Sequence, residues 1–163
     1  ALRFGKIDAA VMIERPEDPA FAHVRLADDP FCLALPADHP LAPLEEVPVA
    51  ALVEERFVSV AVRTYWLPQT RLLARCRALG LAPRVVQEVG TDQLQMNLVA
   101  AGVGIGFVNA SIGSMLGPDV VLRPVAGLDV VLHLDLVWRQ GASSAALTNF
   151  VGEISRQAGV TPR

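Results

Sequence analysis

The sequence predicts a two-lobed α/β protein, and three observations carry that reading. In residues 90–112, GTDQLQMNLVAAGVGIGFVNASI, a helical pattern ends in glycines and runs straight into a short apolar run suited to a strand covered on both faces. Strand-like and helix-like segments alternate through the middle of the chain, as an α/β layer structure requires. Ahead of that block, residues 14–19 form a polar turn whose two prolines forbid continued helix and favour an extended linker. The chain is therefore read as leaving one lobe near residues 14–19 and returning near residues 127–134.

Taken in order, residues 7–13 form a β-like apolar run after Gly5. Residues 24–26 and 31–35 follow as a strand pair or one bent strand, stopped by Pro36. Residues 40–52 are a proline-punctuated loop with a short helical turn at 49–52, and residues 57–61 are a further strand. Pro68 takes the first-turn position of a helix that runs to Leu79, with Leu72, Leu73, Cys76 and Leu79 as its buried stripe and Gly80 as its stop. Arg71, Arg75 and Arg77 lie off that stripe and are expected to solvate the outer face. Residues 85–89 form the strand before the central helix. There Thr91 caps the first amides, Asp92 suits the positive end of the helix dipole, and Leu94, Leu98 and Ala101 share the face to be buried. Gly102 and Gly104 are expected to release that helix. Residues 105–108 are the buried strand, and residues 120–125 another, reached through the turn at Gly117 and Pro118. In residues 132–138, Leu132, Leu134, Leu136 and Trp138 alternate with His133, Asp135 and Val137, the pattern of a half-buried strand. The last helix, residues 143–158, places Leu147, Phe150, Val151 and Ile154 on one face.

Composition sets limits on function. At 163 residues the chain is long enough for one ordinary domain or two small lobes. Its 52% hydrophobic and 19% charged residues describe a globular chain, and its net charge of −3 with scattered basic residues lacks a nucleic-acid footprint. The longest apolar run, residues 98–108, is too short for the roughly 20 residues a bilayer needs. Cys32 and Cys76 each sit in an apolar pattern and read as reduced core residues of a cytoplasmic protein, with a disulfide the lesser alternative.

Catalytic and cofactor motifs are weak. Gly102, Gly104 and Gly106 imitate a nucleotide loop, but a dinucleotide fingerprint needs a strand before the glycines and a helix after them, and here the order is reversed. No lysine follows them, so a P-loop is excluded. The three histidines have no metal-ligand spacing, and His39 reads as a turn-stabilising hydrogen bonder. No serine lies in a nucleophile elbow. The expectation is a protein that is not an enzyme and has neither cofactor nor metal.

The positive case is ligand capture. In open α/β sheets small ligands sit beyond the carboxyl ends of strands, where helix N-termini present free amides to anions. After the strand at 57–61, Val60 leads to Arg63 and Thr64, which could grip a carboxylate or hydroxyl. Gly90 and Thr91 open the central helix, and Asn109 after the buried strand offers both donor and acceptor. Met12 and Ile13 would give apolar wall. Each has a plainer reading beside it: Thr91 as an N-cap, Arg63 as a solvated loop residue, Asn109 as a turn residue, Met12 as core. The set is stronger than its members because all of it converges on one crevice.

The strings LVAAGVGIGFVNAS at 98–111, HPLA at 39–42 and GKIDAAVMI at 5–13, in this order and spacing, resemble the effector-binding domain of LysR-type transcriptional regulators nearly end to end. The resemblance implies a bilobal fold like that of type II periplasmic binding proteins, with two hinge crossings and a first lobe incomplete at the N-terminus. Residues 1–19 would be the remnant of lobe I and the first crossing, residues 20–126 lobe II, and residues 127–163 the second crossing and return. It implies a domain that binds a small effector between its lobes, and Arg63 with the free helix amides points to an anionic one. Its other partners would be further copies of itself, as dimer or tetramer, and DNA through a helix-turn-helix absent from this fragment. The positions singled out match those where LysR-type domains line the effector pocket, except that the family often has a proline where Asn109 stands. That departure is either a polar contact peculiar to this chain or a different turn. The alternative is an extracytoplasmic solute-binding protein of the same fold serving a transporter.

Overall fold

The structure, a computed structural model, describes residues 1–15, 17–61, 66–142 and 144–160. The chain divides into two compact units, one of Ala1–Asp29 with Leu132–Arg163, the other of Pro30–Val131. It therefore passes between them twice, at residues 131–132, inside the span 127–134 read from sequence, and at residues 29–30, beyond the span 14–19. The reason lies in the strand that follows the proline turn. β2, Phe21–Pro36, is one strand of 16 residues. Its first half remains in the first unit, where it neighbours β7, Val131–Arg139. Only after Asp29 does it enter the second.

In the first unit β1, Ala9–Ile13, pairs antiparallel with β7, Ala9 opposite Trp138 and Ile13 opposite Leu134. α3, Ala145–Gln157, starts at Ser144, whose hydroxyl accepts from the Leu147 amide at 3.1 Å. Leu147 and Val151 of α3 are buried with Val24 and Leu136, while Phe150 is left 47% exposed. β7 departs from simple alternation: Asp135 and Val137 are buried as well as Leu132 and Leu136. The strand is covered on both faces, and Asp135 tolerates this because Arg25 of β2 reaches it.

The second unit is the α/β layer. β3, Arg56–Val60, and β4, Arg84–Val89, run parallel, with Val60 opposite Val89. β3 also lies parallel to the residue that leads into β5, Gly106–Asn109, through an isolated bridge between Phe57 and Ile105. β2 then pairs antiparallel with β5 and with β6, Val120–Arg123. α1, Trp66–Ala78, buries Leu72 and Cys76 and ends at Gly80, whose φ of 79° is the left-handed cap expected. Arg75 does more than solvate that helix, donating to the Gly127 carbonyl at 3.0 Å and pairing with Asp129 at 2.7 Å. The short turn Val49–Leu52 is 3-10 helix, and His39 accepts the Leu41 amide at 3.2 Å, the turn role anticipated for it.

α2, Asp92–Ala100, keeps its cap at Thr91, but of the face expected inward only Leu98 packs, half-buried, against Val58, Val60 and Val89. Gln95, Met96 and Val99 are buried; Leu94 is 45% exposed and Ala101 is exposed. Met96 and Val99 pack with Ala34 and Val108, while Gln95 is held by polar bonds that a hydrophobic pattern cannot signal. The glycines after α2 also divide their work. Gly102, at φ 70°, is a conformational stop. Gly104 is needed for space, since a Cβ there would stand 2.4 Å from the Arg56 carbonyl oxygen. Across this junction Phe57 and Phe107 stack with ring centroids 5.3 Å apart.

Candidate functional site

Because β3, β4 and the start of β5 run in one direction, their carboxyl ends share one edge of the second unit. The Ala61 amide donates to the Val89 carbonyl at 2.8 Å, closing the β3 and β4 ends together. Immediately beyond β4, Gly90 and Thr91 lead into α2, so the positive end of a helix and its free amides open at this edge. The Thr91 hydroxyl accepts the Leu94 amide at 3.2 Å, which leaves its own proton to donate. Gly90 is exposed, with nothing within 4 Å of where a Cβ would lie. Asn109 ends β5 opposite Phe31, half-buried, and makes no side-chain cap to the 3-10 turn Ala110–Met115 that it precedes.

The structure thus brings Val60, Gly90, Thr91 and Asn109 to one edge. Val60 is buried with Val58 and Val89, so it anchors that edge from beneath. Arg63 and Thr64 lie outside the described residues. Met12, half-buried, and Ile13, 43% exposed, end β1 in the first unit. On its other side Thr91 borders a groove of about 470 Å³ formed with Met96, Asn97, Ile112, Met115 and Val120. At the helix start, burial raises the Asp92 carboxyl above its ordinary pKa.

Two polar features escaped the sequence reading. Gln95, one turn after the cap, is 2% exposed and donates from its amide nitrogen to the Val58 carbonyl at 2.8 Å and the Phe107 carbonyl at 3.2 Å. The signal was there: it shares the inward face with Val99, four residues on.

The second is a cluster in the first unit. Arg25 donates to Asp135 at 2.7 Å and to Asp28 at 2.8 Å, and its guanidinium meets His133 Nδ1 at 2.6 Å. The same Nδ1 lies 2.8 Å from the Asp28 carboxylate. One imidazole nitrogen can either accept from Arg25 or donate to Asp28, not both, so the contact it makes depends on where the ring proton sits. The bond to His133, and then that to Arg25, hold the Asp28 carboxyl below its ordinary range. Burial pulls the Arg25 guanidinium down, but its bonds to Asp135 and Asp28 outweigh that and raise it. Its signal was two charged pairs on two strands, Arg25 with Asp28 and His133 with Asp135. Among the described residues no group of three or more His, Cys, Asp or Glu could hold a metal, and no helix is long and apolar enough to cross a membrane.

Comparison with known proteins agrees with this architecture. The LysR substrate binding domain matches residues 1–159. The chain is 29% identical to the transcriptional regulator ShiR of Corynebacterium glutamicum over 145 residues, covering 89% of this chain and 49% of that protein. It is 30% identical to the regulator CatR of Pseudomonas putida over 158 residues, covering 97% and 54%. It spans about half the length of these relatives. Among solved structures, the effector-binding domain of BenM with its effector benzoate superposes with a TM-score of 0.79 at 26% identity, covering 99% of this chain and 75% of that one. The relatives are transcriptional regulators, which gives the transporter alternative no support.

Proposed function

The chain belongs to the LysR substrate-binding domain family, and from that premise we propose that it is the effector-sensing part of a LysR-type transcription factor that takes a small organic anion at the ends of β3, β4 and β5. The observation that carries this is the junction of three strand ends with the N-terminus of α2, where Thr91 and the first amides face outward together. Such an edge binds carboxylates through charge-assisted hydrogen bonds, each worth about 1.5–3 kcal/mol. Arg63 and Thr64, which follow β3 in sequence, are proposed to contribute the cationic and hydroxyl contacts, and Asn109 the contact that orients the ligand.

The domain acts without turnover. To regulate, the effector must bind one arrangement of the regulator more tightly than another, because equal affinity shifts nothing. In the longer protein we infer a cytoplasmic homo-oligomer, dimer or tetramer, that reaches DNA through a separate helix-turn-helix. The test is calorimetry on the chain with benzoate and a panel of small aromatic, hydroxy and sugar acids. At least one acid should bind the wild type, and Arg63→Ala with Thr91→Val should weaken it tenfold or more while circular dichroism stays unchanged. Equal affinity in the double variant would reject this placement.

A further inference from the structure

We propose that Gln95 is the positioning residue of this ligand edge, a side-chain amide that sets the spacing between the three elements carrying it; the inference rests on the functional reading above. Its two N–H groups reach Val58 of β3 and Phe107 of β5. Val58 stands two residues before Val60, and Phe107 two residues before Asn109. Gln95 itself lies one helical turn after Thr91, and its backbone amide donates to the Thr91 carbonyl at 3.1 Å. One buried group therefore ties all three approaches to the edge.

It does so where the backbone does not. Among the described residues, β3 and the strand leading into β5 bridge at Phe57 and Ile105, with Ile105 donating to Arg56 and Val58 to Ile105, both at 2.8 Å. The next carbonyls toward the edge, Val58 and Phe107, are taken by the Gln95 amide. Gly106 lets the amide in: a Cβ there would stand 2.5 Å from Gln95 Nε2 and 3.0 Å from the Val58 carbonyl oxygen. The glycine that in sequence imitates part of a nucleotide loop is a seat for the glutamine. Replacing the amide with an apolar group of equal length leaves two buried acceptors without donors, so the strand ends and the cap must move relative to one another.

The experiment needs no knowledge of the natural effector. In ligand-free chain, Gln95→Met should shift the backbone amide resonances of Ala61, Thr91 and Asn109 more than those of the first unit. Leu52→Ala, a cavity in the cluster of Leu33 and Leu81, should leave those three near their wild-type positions. With benzoate as probe, Gln95→Met should bind at least tenfold more weakly at a temperature where it is fully folded, and Leu52→Ala within threefold of wild type. Gln95→Glu should gain affinity from pH 8 to pH 5.5 by a wider margin than the wild type, whose Asp92 carboxyl at the helix start is also raised, because only a protonated carboxyl donates to a carbonyl. Should Gln95→Met not fold, Gln95→Glu at pH 5.5 and the wild-type side-chain amide protons, which should exchange slowly, take its place. Unmoved amides, or fast-exchanging Gln95 protons, would overturn the inference. A wild type that binds no acid, while Gln95→Met still moves the three amides, would instead defeat the functional reading alone.

Discussion

Arg25 and Asp135 share one ion pair but not one environment: the carboxylate side chain is 1% exposed and the guanidinium 39%. Removing the partner of a buried charge costs far more than freeing a group that can turn to water. Arg25→Ala should therefore destabilise the chain by about 3 kcal/mol in urea unfolding, and Asp135→Asn by clearly less. Asp28 gives the pH prediction. Its carboxyl is held below the ordinary value of 3.8 by His133 and Arg25, so the unfolded chain takes up its proton first. The stability it contributes is complete above the unfolded pKa and is lost as pH falls through the folded one. Asp28→Asn should lower the urea midpoint at pH 7, and the gap from wild type should close below about pH 4. At this scale the sequence was least informative. Nothing in the alternation of residues 132–138 marks Asp135 as an inward position, because the partner that makes its burial tolerable stands 110 residues away.

Elements were more legible, since proline, glycine and caps are local signals. Thr91 and Gly80 bound helices where the sequence reading placed them, whereas Ser144, read as part of the last helix, is its N-cap. Ser144→Ala should cost about 1 kcal/mol by thermal or urea melting. The face of α2 was misread because a buried glutamine looks like a surface residue, and the role of Gly104 because lack of space cannot be told from freedom of φ in a sequence. Gly104→Ala should therefore destabilise by about 1–3 kcal/mol although its backbone is ordinary, through backbone contact with Arg56. The sequence left β2 open between a strand pair and one bent strand, since Asp28, Asp29 and Pro30 resemble a turn, and it is one strand. The strand persists because each half has its own neighbours, β7 before the proline and β5 and β6 after it.

At the level of the whole molecule, the first passage between units lies beyond the proline turn at 14–19, because a proline-rich loop need not be a boundary. The units also differ in how they are filled. Among the described residues the first has one buried cluster, around Leu136, and the second has three, around Leu33, Val99 and Val58. Hydrogen exchange by mass spectrometry should find the amides of β1 and α3 less protected than those of β2 beyond Pro30 and of β5. Of the proposed ligand edge, the strand ends and the helix cap could be read in advance, whereas the amide that spaces them could not.

Cys76 lies within the second unit's largest cluster, 1% exposed, and burial pushes its thiol up to about 11. A sulfur that is both walled in and reluctant to ionise reacts with an alkylating reagent only when the surrounding interior parts. The natural chain thus contains its own label for rare opening, and a small molecule that fastens this unit should slow the modification of Cys76 in proportion to its occupancy.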